Sequence, residues 1–384
     1  MSLAELCPAL TVMMIEPRRP ARGGGVAVPW RTVGEAVPPT IRPYLDQLGV
    51  LAGFEAAAHA RSHCTLSAWG GPQLVSNEFL LRPEQAGWRL DRARLDQMLR
   101  DQAVARGARL IPATLIGLGR AGDGWHADLR GDSFTPDRLA RITAGYVVDA
   151  SGRPAIAARL AGRPIIHGDR QVAAVVWLPP PGAVGPGDPG PTDAEDAVVV
   201  TEACAFGWWY TAGLPGGGRV VACMSDADLA HRLRLKHAGR FAALVGETTH
   251  ISRLAAPHVP PAAAASQPAW PSPRLVAAGT ARLAHAAGDG LIAVGDAAMA
   301  FDPIAALGIL KALRSGRLAA YAITDRVRHG DDRGFARYQA LAEREFAAYG
   351  RRHVEVYRQE GRWCDATYWS RRHRRAFPLG AQTC

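Results

Sequence analysis

The sequence predicts an α/β protein: a Rossmann-like domain, an inserted antiparallel β-rich domain and a C-terminal helical segment. Three observations predict it. Apolar runs at 10–15, 146–149 and 291–294 each end in an acidic residue or a glycine, the mark of buried parallel strands whose carboxyl ends carry a site. Between 171 and 229 the pattern changes to short β-rich runs separated by Gly and Pro, which reads as an antiparallel sheet. Finally, Phe335, Tyr338, Leu341, Phe346, Tyr349, Val354 and Tyr357 recur mostly at three-to-five spacing, which makes one long helix with an aromatic face.

Taken in order, residues 2–9 read as the tail of a first helix. Residues 10–15 then fit the second strand of a dinucleotide fold, with Glu16 where such folds place the acidic residue that holds a ribose. That fold opens with a strand, a Gly-x-Gly-x-x-Gly turn and a helix, and this turn is missing from the sequence. Gly23-Gly24-Gly25 follows a strand instead of preceding a helix, so it reads as a loop. By comparison with the fold, the chain is expected to lack about 15 to 20 residues at its start. Residues 41–51 and 92–105 read as helices, the second with Arg94 on a face different from Leu95 and Leu99. The strand 146–149 ends in the tight turn Asp149-Ala-Ser-Gly152-Arg153. Runs at 172–178, 197–204, 208–212 and 219–224 supply the antiparallel sheet, with a Pro/Gly-rich loop at 179–196. An irregular stretch, 255–273, returns the chain to the first domain. The expected organisation is 1–170 and 274–325 for the two parts of the nucleotide-binding domain, 171–273 for the β-rich substrate domain, and 326–384 for the helical segment.

The densest signal is the string from Gly295 to Gly316, whose elements match the needs of a flavin site. Gly295-Asp296, at the end of a buried strand, lets a backbone and a carboxylate approach polyol hydroxyls. Asp302-Pro303 breaks the chain. Gly308 then opens a helix whose free amides, with those of Ile309, face the electron-rich edge of an isoalloxazine and stabilise the anion formed on reduction.

This string resembles the second FAD motif of the group that includes flavin-dependent tryptophan halogenases, geranylgeranyl reductases and aromatic hydroxylases. The resemblance is strongest to the branch that matures the cysteine tryptophylquinone cofactor of amine dehydrogenases and amino-acid oxidases. Four further segments look like that branch: Gly34-Glu35-Ala-Val-Pro-Pro39, Trp88 to Asp96, Gly207 to Tyr210 with Ser225 to Asp228, and Arg362-Trp363 with Tyr368 to Arg371. The resemblance implies an FAD-binding domain of the aromatic-hydroxylase type, with Glu16, Gly34, Glu35, Arg92, Asp149, Gly152, Gly295, Asp296, Asp302, Pro303, Gly308 and Ile309 at the cofactor. It also implies hydroxylation of a tryptophan side chain in a quinoprotein oxidase or dehydrogenase precursor polypeptide, with NAD(P)H as external reductant. Two alternatives stay open: an FAD-dependent hydroxylase or reductase of a free small molecule, and a flavin-free assembly factor. One departure bears on the site. The relatives carry Ser-Ser-Gln before the helix-opening glycine, and here Ala305-Ala306-Leu307 leaves only backbone donors.

Halogenation is disfavoured by residue content, because flavin halogenases use an early lysine and a Trp-x-Trp-x-Ile-Pro segment. This chain has no lysine before Lys236 and no Trp-x-Trp. Oxygen transfer to an electron-rich ring asks less of side chains, chiefly exclusion of water and orientation of the ring. The candidates for touching an indole are Trp208, Trp209 and Tyr210, of which the first and third share one face of a strand. His59, His63 and His285 have no partner visible in the sequence, and a lone histidine is usually structural.

Composition fits an enzyme. At 384 residues with 48% hydrophobic residues the chain can bury a large core. No run of about 18 apolar residues offers a membrane span, no signal peptide is visible, and six cysteines show no metal-ligand spacing; the cytoplasm is the expected compartment. A net charge of +10 invites a nucleic-acid reading, yet only Lys236 and Lys311 among 45 basic residues are lysine, which points to codon composition, and no nucleic-acid-binding signature is present. The basic cluster Arg371 to Arg375 reads as a solvated tail.

Overall fold

The computed structural model describes residues 1–17, 35–62, 64–78, 86–131, 140–182, 198–259 and 270–374. Two short parallel pairings form the part expected to bind a nucleotide. Met13–Ile15 pairs with Arg109–Ile111, and Val147–Asp149 pairs with Leu291–Ala293, which also carries Ala287–Gly288 antiparallel on its other side. Among the described residues these two sets of strands do not pair with each other. Leu291, Ile292 and Ala293 are each fully buried, as expected for a strand covered on both faces. Their cover is the helix Gly308–His329, through Ala319 and Ile323, and the helix Arg333–Arg358, through Phe335, Tyr338 and Phe346.

The aromatic stripe foreseen near the end is thus core packing: Tyr338 also donates its hydroxyl hydrogen to the Ala293 carbonyl at 2.7 Å. Leu341, counted on the same stripe, is exposed instead. The helix Arg92–Ala105 forms where the pattern placed it, and Asp91 caps it by accepting a hydrogen bond from the Arg94 amide at 3.1 Å. The helix expected over 41–51 divides into Arg42–Gln47 and Leu51–Ala56. Gly49 between them has φ +62, a left-handed conformation that ends the first helix. A three-stranded meander, Thr114–Ala121, Gly124–Arg130 and Ala140–Ala144, lies between the parts of this domain and was not foreseen.

The second layer is a seven-stranded sheet in the order Arg274–Ala277, Gln171–Leu178, Arg219–Asp226, Gly207–Gly213, Val199–Cys204, Cys64–Ala68 and Val75–Glu78. All pairings are antiparallel except that of Val199–Cys204 with Cys64–Ala68. The four strands read from the sequence sit in the centre, and strands from either side of 171–273 complete the edges. One face packs Trp208, Tyr357, Tyr368 and Trp369; the other packs Trp209 under the helices Ala238–Gly246 and Ile251–Ala255. The helix Thr367–His373 closes the first face. Arg371 and Arg372 of that helix are ion-paired with Asp226, so they belong to the packed structure and not to a solvated tail. Among the described residues, no helix is long and apolar enough to cross a membrane.

Candidate functional site

The parallel pair Val147–Asp149 and Leu291–Ala293 ends at one edge of the domain, and the two turns that follow build the site. Asp149 is 2% exposed. Its Oδ1 accepts from the Ser151 amide and hydroxyl at 3.0 and 2.6 Å, and its Oδ2 from the Ala158 amide at 2.8 Å. Asp149 therefore shapes the turn from within. Gly152 follows with φ +75 and open space where a Cβ would stand, so the backbone there is accessible to a ligand.

The second turn is anchored to the helix Gly308–His329. The Gly295 amide donates to Ser315 Oγ at 2.8 Å, and a Cβ on Gly295 would meet Ala312 Cβ at 3.2 Å; its φ of +58 also favours glycine. Asp296 lies beside two cations. Its Oδ1 accepts from Lys311 Nζ at 2.7 Å, and its Oδ2 stands 3.6 Å from Arg153 Nε. Burial pulls the Lys311 ammonium below the usual lysine value, against the attraction of Asp296. Arg153 also donates to the carbonyls of Gly279 and Phe301, which ties the two turns together. Neither cation was foreseen as a site residue. The available signal was a lone lysine inside the flavin-like string of an arginine-rich chain.

Asp302 points the other way, into the core. It is 1% exposed, and its Oδ2 accepts from Tyr357 Oη at 2.8 Å and lies 3.2 Å from His353 Nε2. Burial pushes its carboxyl up, but His353, the Ile304 amide and the charge of Arg372 act together against it, and the net shift is downward. Its Oδ1 accepts from the Ile304 amide at 3.0 Å and caps the one-turn helix Pro303–Ala305. Ala306 ends that turn at φ +51. Gly308 and Ile309 then begin the long helix; Gly308 has open space above its backbone, and the Lys311 amide is the first of the turn to find a carbonyl, Leu307 O. Among the described residues the amides of Gly308 and Ile309 have no acceptor, as expected at a helix start.

Two of the three substrate-contact candidates lie on the sheet face against which Ile304 of this turn packs. Trp208 and Tyr210 share the face that packs with Ile304, and Trp209 takes the opposite face, as the strand period requires. Trp208 is 1% exposed and donates to Tyr357 Oη at 3.0 Å, and Trp209 is fully buried; Tyr210 is half-buried. Trp69 adds to the same aromatic group, 5.5 Å from Tyr357 and 5.3 Å from Trp369.

Other candidates sit on other elements. Glu16 follows the strand Met13–Ile15 and is held by Arg100 at 2.8 and 2.9 Å. Arg92 opens its helix and reaches Asp96 at 3.0 Å. Gly34 and His63 lie outside the described residues, as do Gly23-Gly24-Gly25 and most of the loop 179–196; Glu35 begins the strand Glu35–Val37. His59 is buried, and its Nδ1 accepts from the Asp91 amide at 3.2 Å. His285 is exposed.

These groups fit a flavin at the strand ends. An exposed carboxylate backed by two cations suits polyol hydroxyls, open backbone at Gly152 and Gly308 admits close approach, and free helix-start amides suit an electron-rich edge. Among the described residues, no Gly-x-Gly-x-x-Gly turn cradles the pyrophosphate. Comparison with solved structures then decides the fold. CmlS, a flavin-dependent halogenase, superposes with a TM-score of 0.74 at 19% identity, covering 97% of this chain and 65% of CmlS. The chain has the fold of the flavin-dependent halogenases and hydroxylases. This flavoprotein fold is shared with QhpG, described as a peptidyl tryptophan dihydroxylase essential for tryptophylquinone cofactor biogenesis, at a TM-score of 0.70 and 22% identity over 97% of this chain and 75% of QhpG. In sequence, LodB of Marinomonas mediterranea, which carries the name FAD-dependent oxidoreductase, is 26% identical over 344 residues, 89% of this chain and 86% of LodB. No family model matches. Solved structures with this fold also include aklavinone-11 hydroxylase in complex with FAD and aklavinone, at a TM-score of 0.69 and 17% identity over 99% of this chain and 69% of the hydroxylase. CmlS is the longer protein, and this chain spans about two thirds of it.

Proposed function

We propose that the protein is an FAD-dependent monooxygenase that hydroxylates a tryptophan side chain of a quinoprotein oxidase or dehydrogenase precursor during tryptophylquinone biogenesis. The observation that carries this reading is similarity along nearly the whole chain both to LodB and to QhpG, whose description names a peptidyl tryptophan. Asp296, Gly152, Gly295, Gly308 and Ile309 would hold FAD at the strand ends, and NAD(P)H is the proposed external reductant. Reduced and bound, FAD supplies an electrophilic oxygen drawn from dioxygen. The chain's own part is orientation and exclusion of water. Amides at the start of the helix Gly308–His329 stabilise negative charge at the cofactor edge, and the half-buried Tyr210, backed by the buried Trp208, lies on the sheet face where Ile304 packs. A ring borne on a polypeptide also brings binding energy from contacts remote from the reacting carbons, which a free amino acid lacks.

The test is intact-mass measurement of a co-expressed quinoprotein subunit in cells with and without this protein. The expected result is a gain of about one or two oxygens on the tryptophan, the increment of this chemistry, only when the protein is present. An equal gain in cells lacking it would overturn the proposal and favour a free small-molecule substrate.

A further inference from the structure

We propose that Lys311 is the positioning residue of the flavin-binding turn, holding the Asp296 carboxylate in the orientation in which it meets the cofactor's polyol; this rests on the FAD reading above. Only two of the 45 basic residues are lysine. One of them is this side chain, 1% exposed at the first turn of the helix Gly308–His329.

An ammonium has three N–H groups, and the surroundings of Lys311 supply three acceptors. Asp296 Oδ1 takes one at 2.7 Å, the Met299 carbonyl takes another, and the face of the Phe301 ring lies with its centroid 4.0 Å from Nζ. A guanidinium would bring five N–H groups in a planar fork to the same two oxygens and one ring, and so bury unpaired donors. The compact cation is the one that fits.

Its effect on Asp296 is directional. One carboxylate oxygen is fixed to a buried point, while the side chain as a whole stays 33% exposed and its other oxygen has only the more distant Arg153 Nε, at 3.6 Å, as its ion-pair partner. The same ammonium holds the Met299 carbonyl, so both Asp296 and the chain that leads to Asp302 are referenced to one helix. That helix also carries the free amides of Gly308 and Ile309. Without Lys311, Arg153 is the cation left beside Asp296, and it would draw the carboxylate toward itself.

The experiment measures FAD dissociation constants by flavin fluorescence for wild type, K311M, D296A and the double variant, with thermal melting of the FAD-free proteins alongside. K311M and D296A are each expected to weaken FAD by about 10- to 150-fold, the loss of one charge-assisted hydrogen bond. The double variant is expected to bind no more weakly than D296A, because Lys311 acts through Asp296. Fully additive penalties, or an unchanged constant in K311M, would overturn the proposal. If K311M does not fold, K311Q is measured against the same criterion. Wild-type protein that fails to bind FAD would overturn the FAD reading and this proposal with it, an outcome distinct from the other two.

Discussion

Asp296 and Asp302 are six residues apart and do opposite things. Asp296 is partly exposed beside two cations, and removing its carboxylate deletes the acceptor proposed for the polyol without opening the core. Asp296→Ala should lose about 1.5 to 3 kcal/mol of FAD binding, roughly 10- to 150-fold in affinity. Flavin absorbance of the purified variant checks it, and full occupancy at wild-type affinity would remove Asp296 from the site. Asp302 is a stability residue. Burial pushes its carboxyl up, but His353, the Ile304 amide and Arg372 together hold it below the ordinary 3.8. A carboxylate depressed on folding stabilises above its unfolded value, and that contribution disappears as pH falls through the depressed value. The wild type should therefore lose stability below about pH 4, and Asp302→Asn should flatten that acid limb while lowering stability at neutral pH. Urea midpoints measured from roughly pH 6 to pH 2 test this, and parallel acid limbs would contradict it.

At the scale of elements, the helix Thr367–His373 is the fastener between the sheet and the flavin-motif turn. Tyr368 donates to Gln171 Oε1 at 2.6 Å and lies 3.1 Å from Tyr357 Oη, which itself bonds Asp302. Burial pushes both phenols well above their ordinary value, so they stay neutral donors. Arg372, 3% exposed, bonds Gln171 and Asp226, with its guanidinium 3.4 Å from the Tyr368 ring centroid. Arg371 is the outer member, half exposed, on Asp226 and Asp228. Breaking a buried pair leaves a charge unmatched, so Arg372→Met should cost about 3 kcal/mol, near the low end for such losses because Arg371 still holds Asp226. Arg371→Met should cost under about 1 kcal/mol, as exposed pairs do. Chemical denaturation of the two variants decides it, and equal losses would show that the fastener is misread.

For the whole molecule, fold and activity need separate arguments, because halogenases and hydroxylases share this architecture. The chain has no lysine before Lys236, where flavin halogenases use one. With reduced FAD, oxygen and chloride or bromide, free tryptophan should be recovered unchanged. Mass spectrometry of the small-molecule fraction tests this, and a halogenated indole would reverse the reading.

Much of the fold was legible because its signals are local. The apolar run that becomes Leu291–Ala293, the helix Arg92–Ala105 and the four central strands of the sheet each announce themselves by period, by run length or by a following glycine. The sequence by itself placed Gly295 and Asp296 at a strand end and Gly308 at a helix start, since a glycine, a carboxylate and a helix start follow in fixed order. It was misleading at 41–51, where the left-handed Gly49 broke a continuous apolar pattern. What it did not hold is which side chains meet across the fold. Asp302 and Tyr357 are 55 residues apart, Trp69 and the Val356 carbonyl 287. Only packing decided that Asp302 faces inward, that Trp208 is committed to Tyr357, and that the two edge strands preceding residue 171 complete the second sheet. The reason is physical: periodicity fixes the face a residue occupies, whereas the partner on that face is set by which other elements bury their own apolar surface there.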